Sequence, residues 1–138
     1  MIGLDTNVLA RYYVQDESDA EAQHQHETAR KLIESGVPLM VCTTVLLEFE
    51  WVMRGYYGFS PAEIATVMQH LLSLSHVVIE ERERVVQAIS HASAGLEFAD
   101  ALHLSSYRNC DRMASFDDRK FARRAKRLNL APRIFVPE

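Results

Sequence analysis

The sequence predicts an α/β protein in which helices cover both faces of a parallel sheet. Short apolar runs of strand length alternate along the chain with longer segments that follow a helical period. Parallel strands need crossover connections, and right-handed crossovers pack their helices back onto the sheet. A chain of 138 residues, 48% of them hydrophobic, can bury one core without disulfide bonds. We therefore expect a single domain over residues 1–138.

The first half of the chain alternates two strands with three helices. Residues 2–4 and 38–42 are short apolar runs and predict strands, while 7–14 and 19–35 predict a short helix and a long polar one that ends at Gly36. A third helix runs to residue 57, with Thr43 or Thr44 as its cap. Its apolar positions follow the 3.6-residue period and are Val45, Leu46, Phe49, Val52, Met53 and Tyr56.

The second half continues the alternation. Ser60 and Glu63 form a capping box, with Pro61 at the first helical position, and predict a helix to about residue 74. Residues 76–79 predict a strand, 81–94 a helix that ends at Gly95, and 97–107 a further helix. The inner side of that further helix carries Phe98, Ala101, Leu102 and Ser105. A weaker strand at 112–116, a basic helix at 118–128 and a last strand at 134–136 complete the pattern.

Composition excludes several classes of protein. No apolar run approaches the roughly 20 residues of a membrane helix, and the first residues lack the basic and apolar regions of a secretory signal. Two cysteines, Cys42 and Cys110, do not make a disulfide framework, so we expect free thiols and a cytoplasmic protein. A net charge of −4 and a pI of about 5.9 argue, at face value, against a nucleic-acid partner.

Four acidic residues stand where a parallel α/β fold can bring carboxylates together. Asp5 and Asp117 follow predicted strands, and ligands of open parallel sheets bind beyond the carboxyl ends of strands. Asp100 and Glu48 lie in helical segments with apolar neighbours, where a core-facing carboxylate is costly unless it is neutralised. Three of them have a structural alternative: Asp5, and Asp117 or its neighbour Asp118, can be helix caps, and Glu48 can be an exposed residue or the partner of Arg54.

Converging carboxylates require a cation. Two unit charges about 4 Å apart repel by about 4 kcal/mol at an effective dielectric constant of 20. A divalent ion reverses that sign, and oxygen ligands without a His or Cys cluster favour Mg²⁺ or Mn²⁺ over zinc. The residues thus predict an acidic metal-binding pocket, but they name no substrate.

At these residues the sequence resembles a PIN-domain nuclease, and most closely a VapC-type toxin of a type II toxin–antitoxin pair. The matching stretches occur in the family's order over essentially the whole chain: residues 3–9 (GLDTNVL), 47–53 (LEFEWVM), 98–102 (FADAL) and 115–117 (SFD). The resemblance implies a five-stranded parallel sheet of order 3-2-1-4-5 and Mg²⁺- or Mn²⁺-dependent cleavage of RNA. It also implies a homodimer and a cognate antitoxin protein that blocks the site.

Position by position, the resemblance assigns metal binding and catalysis to an acidic quartet, which consists of Asp5, Glu48, Asp100 and Asp117. Supporting polar positions that orient carboxylates or water are Thr6, Asn7 and Ser115. The adjacent Asp117 and Asp118 leave open which of the two faces the metal, and the number of ions also stays open. Glu97 and His103 each lie one helical turn from Asp100 and are peripheral candidates.

The reaction expected from this resemblance is in-line hydrolysis of an RNA phosphodiester by water. Its products are a 5′-phosphate and a 3′-hydroxyl, because the ribose 2′-hydroxyl is not the nucleophile. A metal-free ribonuclease would need a His or Lys acid–base pair instead, and the six histidines are scattered along the chain.

Charge is unevenly distributed along the chain. Residues 108–133 contain nine basic and three acidic residues, a net charge of +6, which leaves −10 for the rest of the chain. Such a basic segment beside Asp117 can hold RNA phosphates or can be a solvated face. The candidates for phosphate contacts are Arg11, Arg54, Arg119, Lys120, Arg123 and Arg124.

Other functions stay open at this point. A PIN nuclease of RNA processing, or one that cleaves DNA, needs no antitoxin, and a non-catalytic binding module can hold a structural ion with the same acids. The aromatic cluster Tyr56, Tyr57 and Phe59 can stack on bases or pack in an interface, and residues 44–74 are the predicted dimerisation segment. Nucleotide-binding folds are disfavoured because their Gly-rich phosphate loops are absent.

Overall fold

The computed structural model describes all 138 residues, and it contains every predicted strand and helix with ends shifted by a few residues. The strands are β1 (Ile2–Gly3), β2 (Leu39–Val41), β3 (Val77–Ile79), β4 (Arg112–Ala114) and β5 (Arg133–Phe135). The helices are α1 (Thr6–Tyr13), α2 (Ala20–Ile33), α3 (Thr43–Trp51), α4 (Pro61–Ser73), α5 (Arg82–Ser93), α6 (Phe98–Ser106) and α7 (Arg123–Arg127). The α/β class is confirmed.

The chain divides into two compact units, Met1–Glu80 and Glu81–Glu138. The first unit holds a parallel sheet in the order β1-β2-β3, with Ile2 opposite Leu39 and Leu39 opposite Val77. Helices α1 and α2 connect β1 to β2, and α3 and α4 connect β2 to β3. The largest fully buried side chains of this unit are Phe49, Leu9, Ile33, Leu39, Leu46, Met53, Leu71 and Val41.

The second unit pairs β4 with β5, again in parallel, with Met113 opposite Ile134. Helices α5 and α6 pack against each other, and the hydroxyl of Ser105 on α6 donates to the Arg84 carbonyl on α5 at 3.0 Å. All four residues predicted on the inner side of α6 are buried: Phe98, Ala101, Leu102 and Ser105.

The sheet differs in one respect from the predicted order 3-2-1-4-5. The structure has a three-stranded sheet and a separate two-stranded sheet instead of one five-stranded sheet, although the order within each agrees with the prediction. The lengths of the strands are the physical reason. Strand β1 has two residues, and its amides bond to β2 through Ile2 to Pro38 at 3.0 Å and Leu4 to Met40 at 2.9 Å. On its other edge, β1 has little more than the backbone groups of Gly3 with which to form hydrogen bonds to a further strand.

The predicted helix that ends at residue 57 changes its geometry part-way. After α3 it continues as a π-helical turn, Val52–Tyr56, in which the Tyr57 amide donates to the Val52 carbonyl at 3.1 Å. Leu46, Phe49 and Met53 are buried as predicted, but Tyr56 is 77% exposed. A π turn holds an additional residue, so the side chains that follow it rotate away from the face that a regular α-helix predicts.

Helix caps follow the sequence in one case and not in another. The capping box of Ser60 and Glu63 is present at α4. The prediction that Thr43 or Thr44 caps α3 is wrong, because Cys42 occupies the capping position and makes no side-chain cap. The helix that was predicted over 118–128 likewise consists of a π turn, Asp118–Ala122, followed by α7.

Two further features concern the cysteines and the helices. Both cysteines are free thiols. None of the seven helices combines the length and the apolarity that crossing a bilayer requires.

Candidate active site

The carboxyl ends of β1, β2 and β3 define one edge of the first unit. Asp5 lies two residues beyond β1 and is exposed. Its carboxylate accepts a hydrogen bond from the Thr6 amide at 2.8 Å and caps α1, while its carbonyl accepts from the Val8 amide at 3.1 Å. The capping alternative for Asp5 is therefore real, but a cap uses one carboxylate oxygen and leaves the other available to a ligand.

Thr6 has a buried hydroxyl without a partner. Its side chain is buried, with 6% of its surface exposed, and its Oγ1 makes no hydrogen bond. Buried hydroxyls are nearly always paired, so an orphaned hydroxyl next to Asp5 is a free donor for a carboxylate or a water molecule. Asn7, the third polar residue of this motif, is exposed. The supporting role of Thr6 and Asn7 stays a prediction.

Glu48 does not face the core. The expectation of a core-facing carboxylate at Glu48 is wrong, and the alternative of an exposed residue is the one that the structure has. The buried acid of α3 is Glu50, which is 6% exposed and for which the sequence analysis made no prediction. The guanidinium of Arg54, one turn later, donates to Glu50 at 2.9 Å and neutralises it. A buried carboxylate needs such a partner, whereas the exposed Glu48 does not. Arg54, a predicted phosphate contact, is thus engaged with Glu50.

Glu80 is an acid of this edge that the sequence analysis missed. It directly follows β3, and its Oε1 accepts hydrogen bonds from the Thr43 amide at 2.9 Å and the Thr43 hydroxyl at 2.8 Å. These two bonds lower the pKa of Glu80 and make its carboxylate the cap of α3. An acid directly after an apolar strand was the signal that pointed to Asp5, and it could have pointed to Glu80 as well.

In the second unit, Asp100 is the acid with the most perturbed environment. It is half-buried in the first turn of α6. Burial raises the pKa of its carboxyl, and the charges of Glu97 and then Asp117 raise it further, while His103 and Arg124 act in the opposite direction. The structure therefore brings Asp100, Glu97 and Asp117 close enough for their charges to interact.

Asp117 and Asp118 have different surroundings. Asp118 Oδ2 accepts hydrogen bonds from Arg123 Nε at 2.8 Å and Nη2 at 2.7 Å, so this carboxylate is already neutralised. Asp117 is exposed, and its Oδ1 accepts from the Lys120 amide at 3.0 Å. The Ser115 hydroxyl accepts from the Asp117 amide at 3.1 Å and supports the turn. Asp117, and not Asp118, interacts with Asp100.

The predicted phosphate contacts also differ in availability. Arg119 and Lys120 are exposed on the π turn that follows Asp117. Arg123 pairs with Asp118, and Arg124 donates to the Gly95 carbonyl at 3.2 Å. In the first unit, Arg11 donates to Gln25 Oε1 at 2.8 Å.

A family model of the PIN domain matches residues 2–127. The chain belongs to the PIN-domain family. No curated protein matches the sequence significantly. The match to the PIN domain spans most of both compact units and contains all four acids of the predicted quartet. PIN domains are generally metal-dependent nucleases, so these carboxylates belong to a domain of the nuclease class.

The donor set of this PIN domain fits a hard divalent cation. Its exposed acids offer carboxylate oxygens, which Mg²⁺ and Mn²⁺ prefer. Neither unit groups three or more His, Cys, Asp or Glu side chains in an arrangement that chelates a metal ion on its own. Burial and the charges of Glu97 and Asp117 raise the pKa of Asp100, and a cation bound nearby would lower it.

Proposed function

We propose that this PIN domain is an Mg²⁺- or Mn²⁺-dependent endoribonuclease that acts as the toxin of a toxin–antitoxin pair. The observation that carries the proposal is the family match over residues 2–127, which includes Asp5, Glu48, Asp100 and Asp117. Because the match extends over most of both compact units, we propose that residues 1–138 form one nuclease domain.

In this proposal Asp5, Glu48, Asp100 and Asp117 would hold the metal through their carboxylate oxygens. A bound divalent ion supplies activation of the attacking water and stabilisation of the leaving oxygen. Asp100 would offer its carboxylate to the cation, whose positive charge would offset the burial and the charges of Glu97 and Asp117 that raise the pKa of this carboxyl. Thr6 donates its free hydroxyl next to Asp5, and Ser115 holds the amide of Asp117. Asn7, Glu97 and His103 are peripheral.

The proposed reaction is a hydrolysis in line with the leaving group. Water attacks the phosphorus of an RNA phosphodiester, the bond between phosphorus and the 3′-oxygen breaks, and solvent protonates that oxygen. The products are a 5′-phosphate and a 3′-hydroxyl. Arg119 and Lys120, exposed directly after Asp117, hold the phosphates that flank the scissile bond.

The proposed partners are RNA, a second copy of this chain and an antitoxin protein in the cytoplasm. The surface of α3 and the following π turn supports a protein interface, because Trp51 and Tyr56 expose 59% and 77% of their area there. Tyr56 packs edge-to-face on Tyr57 with the ring centroids 4.8 Å apart, so the exposed rings are held in place.

Cleavage of RNA with Mg²⁺ or Mn²⁺ tests the nuclease proposal. We expect Asp5→Asn and Asp100→Asn to lose at least about 100-fold in rate, because each removes a charged metal ligand. Asp111→Asn, which neutralises an exposed acid outside the proposed quartet, is the control and should retain activity. Full activity of both site variants, or cleavage in excess EDTA, would refute the metal mechanism.

The toxin role has its own test. Expression of the wild type should arrest growth. The proposal further predicts a small antitoxin-like reading frame directly upstream of the gene, whose co-expressed product should relieve the arrest. Growth that is unaffected by active enzyme would favour the alternative of a processing nuclease. Cleavage of DNA in preference to RNA would favour the other alternative.

A further inference from the structure

Phe116 is the most exposed large hydrophobic residue of this protein, with 82% of its area accessible. Single exposed apolar side chains are common on protein surfaces, so the exposure alone indicates little. Its position is what distinguishes it. Phe116 lies between Ser115 and Asp117, and Asp117 is a proposed metal ligand whose charge reaches Asp100.

The backbone on both sides of Phe116 is held by hydrogen bonds. On its N-terminal side, the Ser115 amide donates to the Phe135 carbonyl of β5 at 3.0 Å. On its C-terminal side, the Asp117 amide donates to Ser115 Oγ at 3.1 Å, and the Asp117 carbonyl accepts from the Ala122 amide at 3.0 Å. The ring therefore projects from a fixed turn, and a ligand that binds it has little backbone to order.

Two positive charges follow the ring closely along the chain. Arg119 and Lys120 are exposed, and Asp118, which would oppose them, is paired with Arg123. An exposed aromatic ring followed within a few residues by exposed cations is a combination that binds unpaired nucleotides: the ring stacks on a base and the cations hold phosphates. A protein partner that covered Phe116 would gain apolar contact, but that contact would not involve the charges of Arg119 and Lys120.

We propose that Phe116 is a specificity-determining residue of the nuclease, which stacks on an unpaired base next to the scissile phosphodiester. The assignment rests on the proposed function, since it needs an RNA substrate at Asp117. Stacking needs an accessible base face, so a base inside a helical stem cannot take this place. The enzyme consequently prefers to cut at nucleotides that are unpaired or that can be unstacked.

The test combines a protein variant with a substrate variant. The substrates are an RNA oligonucleotide that the wild type cleaves and a series of the same RNA with one abasic nucleotide at each position around the cut. We expect Phe116→Ala to lower kcat/KM on the intact RNA by about 5- to 100-fold, the range that base–aromatic stacking spans. Phe116→Trp should stay within a few-fold of the wild type. Tyr107→Ala removes another exposed aromatic, at the far end of α6 from Asp100, and is the matched control.

Non-additivity separates stacking from a structural role. At one position the abasic nucleotide should lower kcat/KM of the wild type by the same factor as Phe116→Ala does on the intact RNA. The same abasic nucleotide should not lower kcat/KM of the variant any further. The assignment would be overturned if each abasic RNA lowered kcat/KM by the same factor in both proteins, or if Phe116→Ala left kcat/KM unchanged. Neither result would overturn the proposed nuclease function. Unchanged cleavage with lost binding of the antitoxin would also overturn the assignment and would assign the ring to a protein interface. A wild type that cleaves no RNA would overturn the proposed function as well.

Discussion

Asp100 combines a cost to folding with the metal-binding role that we propose for it. Burial and the charges of Glu97 and Asp117 raise the pKa of its carboxyl, although the first turn of α6 is a favourable place for an anion. A residue with a raised pKa is less stable when ionised in the folded chain than in the unfolded chain. Its cost to stability therefore appears as the pH rises from the unfolded pKa, about 3.9, through the folded pKa.

Asp100→Asn removes this cost. In metal-free buffer at neutral pH we expect the variant to be more stable than the wild type, by less than about 1 kcal/mol, because solvent screens a half-exposed group. The gain should vanish as the pH falls below about 3.9, where the wild-type carboxyl is protonated in both states. Thermal denaturation at a series of pH values measures it, with Asp111→Asn as the control. A variant that is less stable than the wild type at neutral pH would contradict this account.

The carboxylates also show what can be predicted about single residues. The motifs around Asp5, Glu48, Asp100 and Asp117 stand out in the sequence because acids follow strands or interrupt apolar segments. Which acid of a pair is buried does not follow from the motif, as Glu48 and Glu50 demonstrate. Glu50 can be the buried one because Arg54 lies one turn after it and neutralises it, and a buried carboxylate needs such a partner.

At the scale of elements, α3 depends on a cap supplied by another element. Cys42 makes no side-chain cap, and the carboxylate of Glu80, at the end of β3, accepts from the Thr43 amide and hydroxyl instead. This contact ties the start of the helix that carries Glu48 to the end of a strand 37 residues later in the chain. A cap at that separation has no signal in the local sequence.

Removal of this cap should destabilise the fold in a pH-dependent way. We expect Glu80→Ala to lower Tm by a few degrees at neutral pH. Because hydrogen bonds lower the pKa of Glu80, its contribution is complete above the unfolded pKa, about 4.3, and disappears as the pH falls through the lower folded pKa. The Tm difference between variant and wild type should narrow accordingly in acid.

A double-mutant cycle with Thr43→Val isolates the contact. Thr43→Val removes the hydroxyl donor and keeps the amide, and Thr43→Ser keeps both donors as the control. The effects of Glu80→Ala and Thr43→Val should not add, since both variants remove the same hydrogen bond. Additive losses would show that Glu80 stabilises the protein through other groups.

For the whole molecule, the distribution of charge matters more than the total. The net charge of −4 conceals a basic segment of +6 over residues 108–133. Nucleic-acid affinity follows the cations that meet phosphates, because each contact releases a counterion. An acidic pI is therefore compatible with an RNA substrate.

The salt dependence of RNA binding tests this view. We expect Lys120→Gln to reduce the slope of log affinity against log salt by about 0.7, the value for one phosphate contact of a single strand. Lys31→Gln, in the acidic part of the chain, is the matched control and should leave the slope unchanged. Fluorescence anisotropy with a labelled single-stranded RNA in EDTA gives both slopes. Equal slopes for the two variants would show that Lys120 does not meet phosphate.

The sequence by itself determined the order and type of every strand and helix, because hydrophobic period, caps and breakers act over a few residues. It also determined the PIN family, since the acids occur in ordered local motifs. Only the tertiary structure decided that the strands form two sheets, that α3 continues as a π turn, and that Glu80 caps α3. The same holds for the pairing of Asp118 with Arg123 and for the charge interactions of Asp100. These features depend on which groups meet in space, and electrostatic and hydrogen-bond energies are set by distance and burial, which local sequence does not encode.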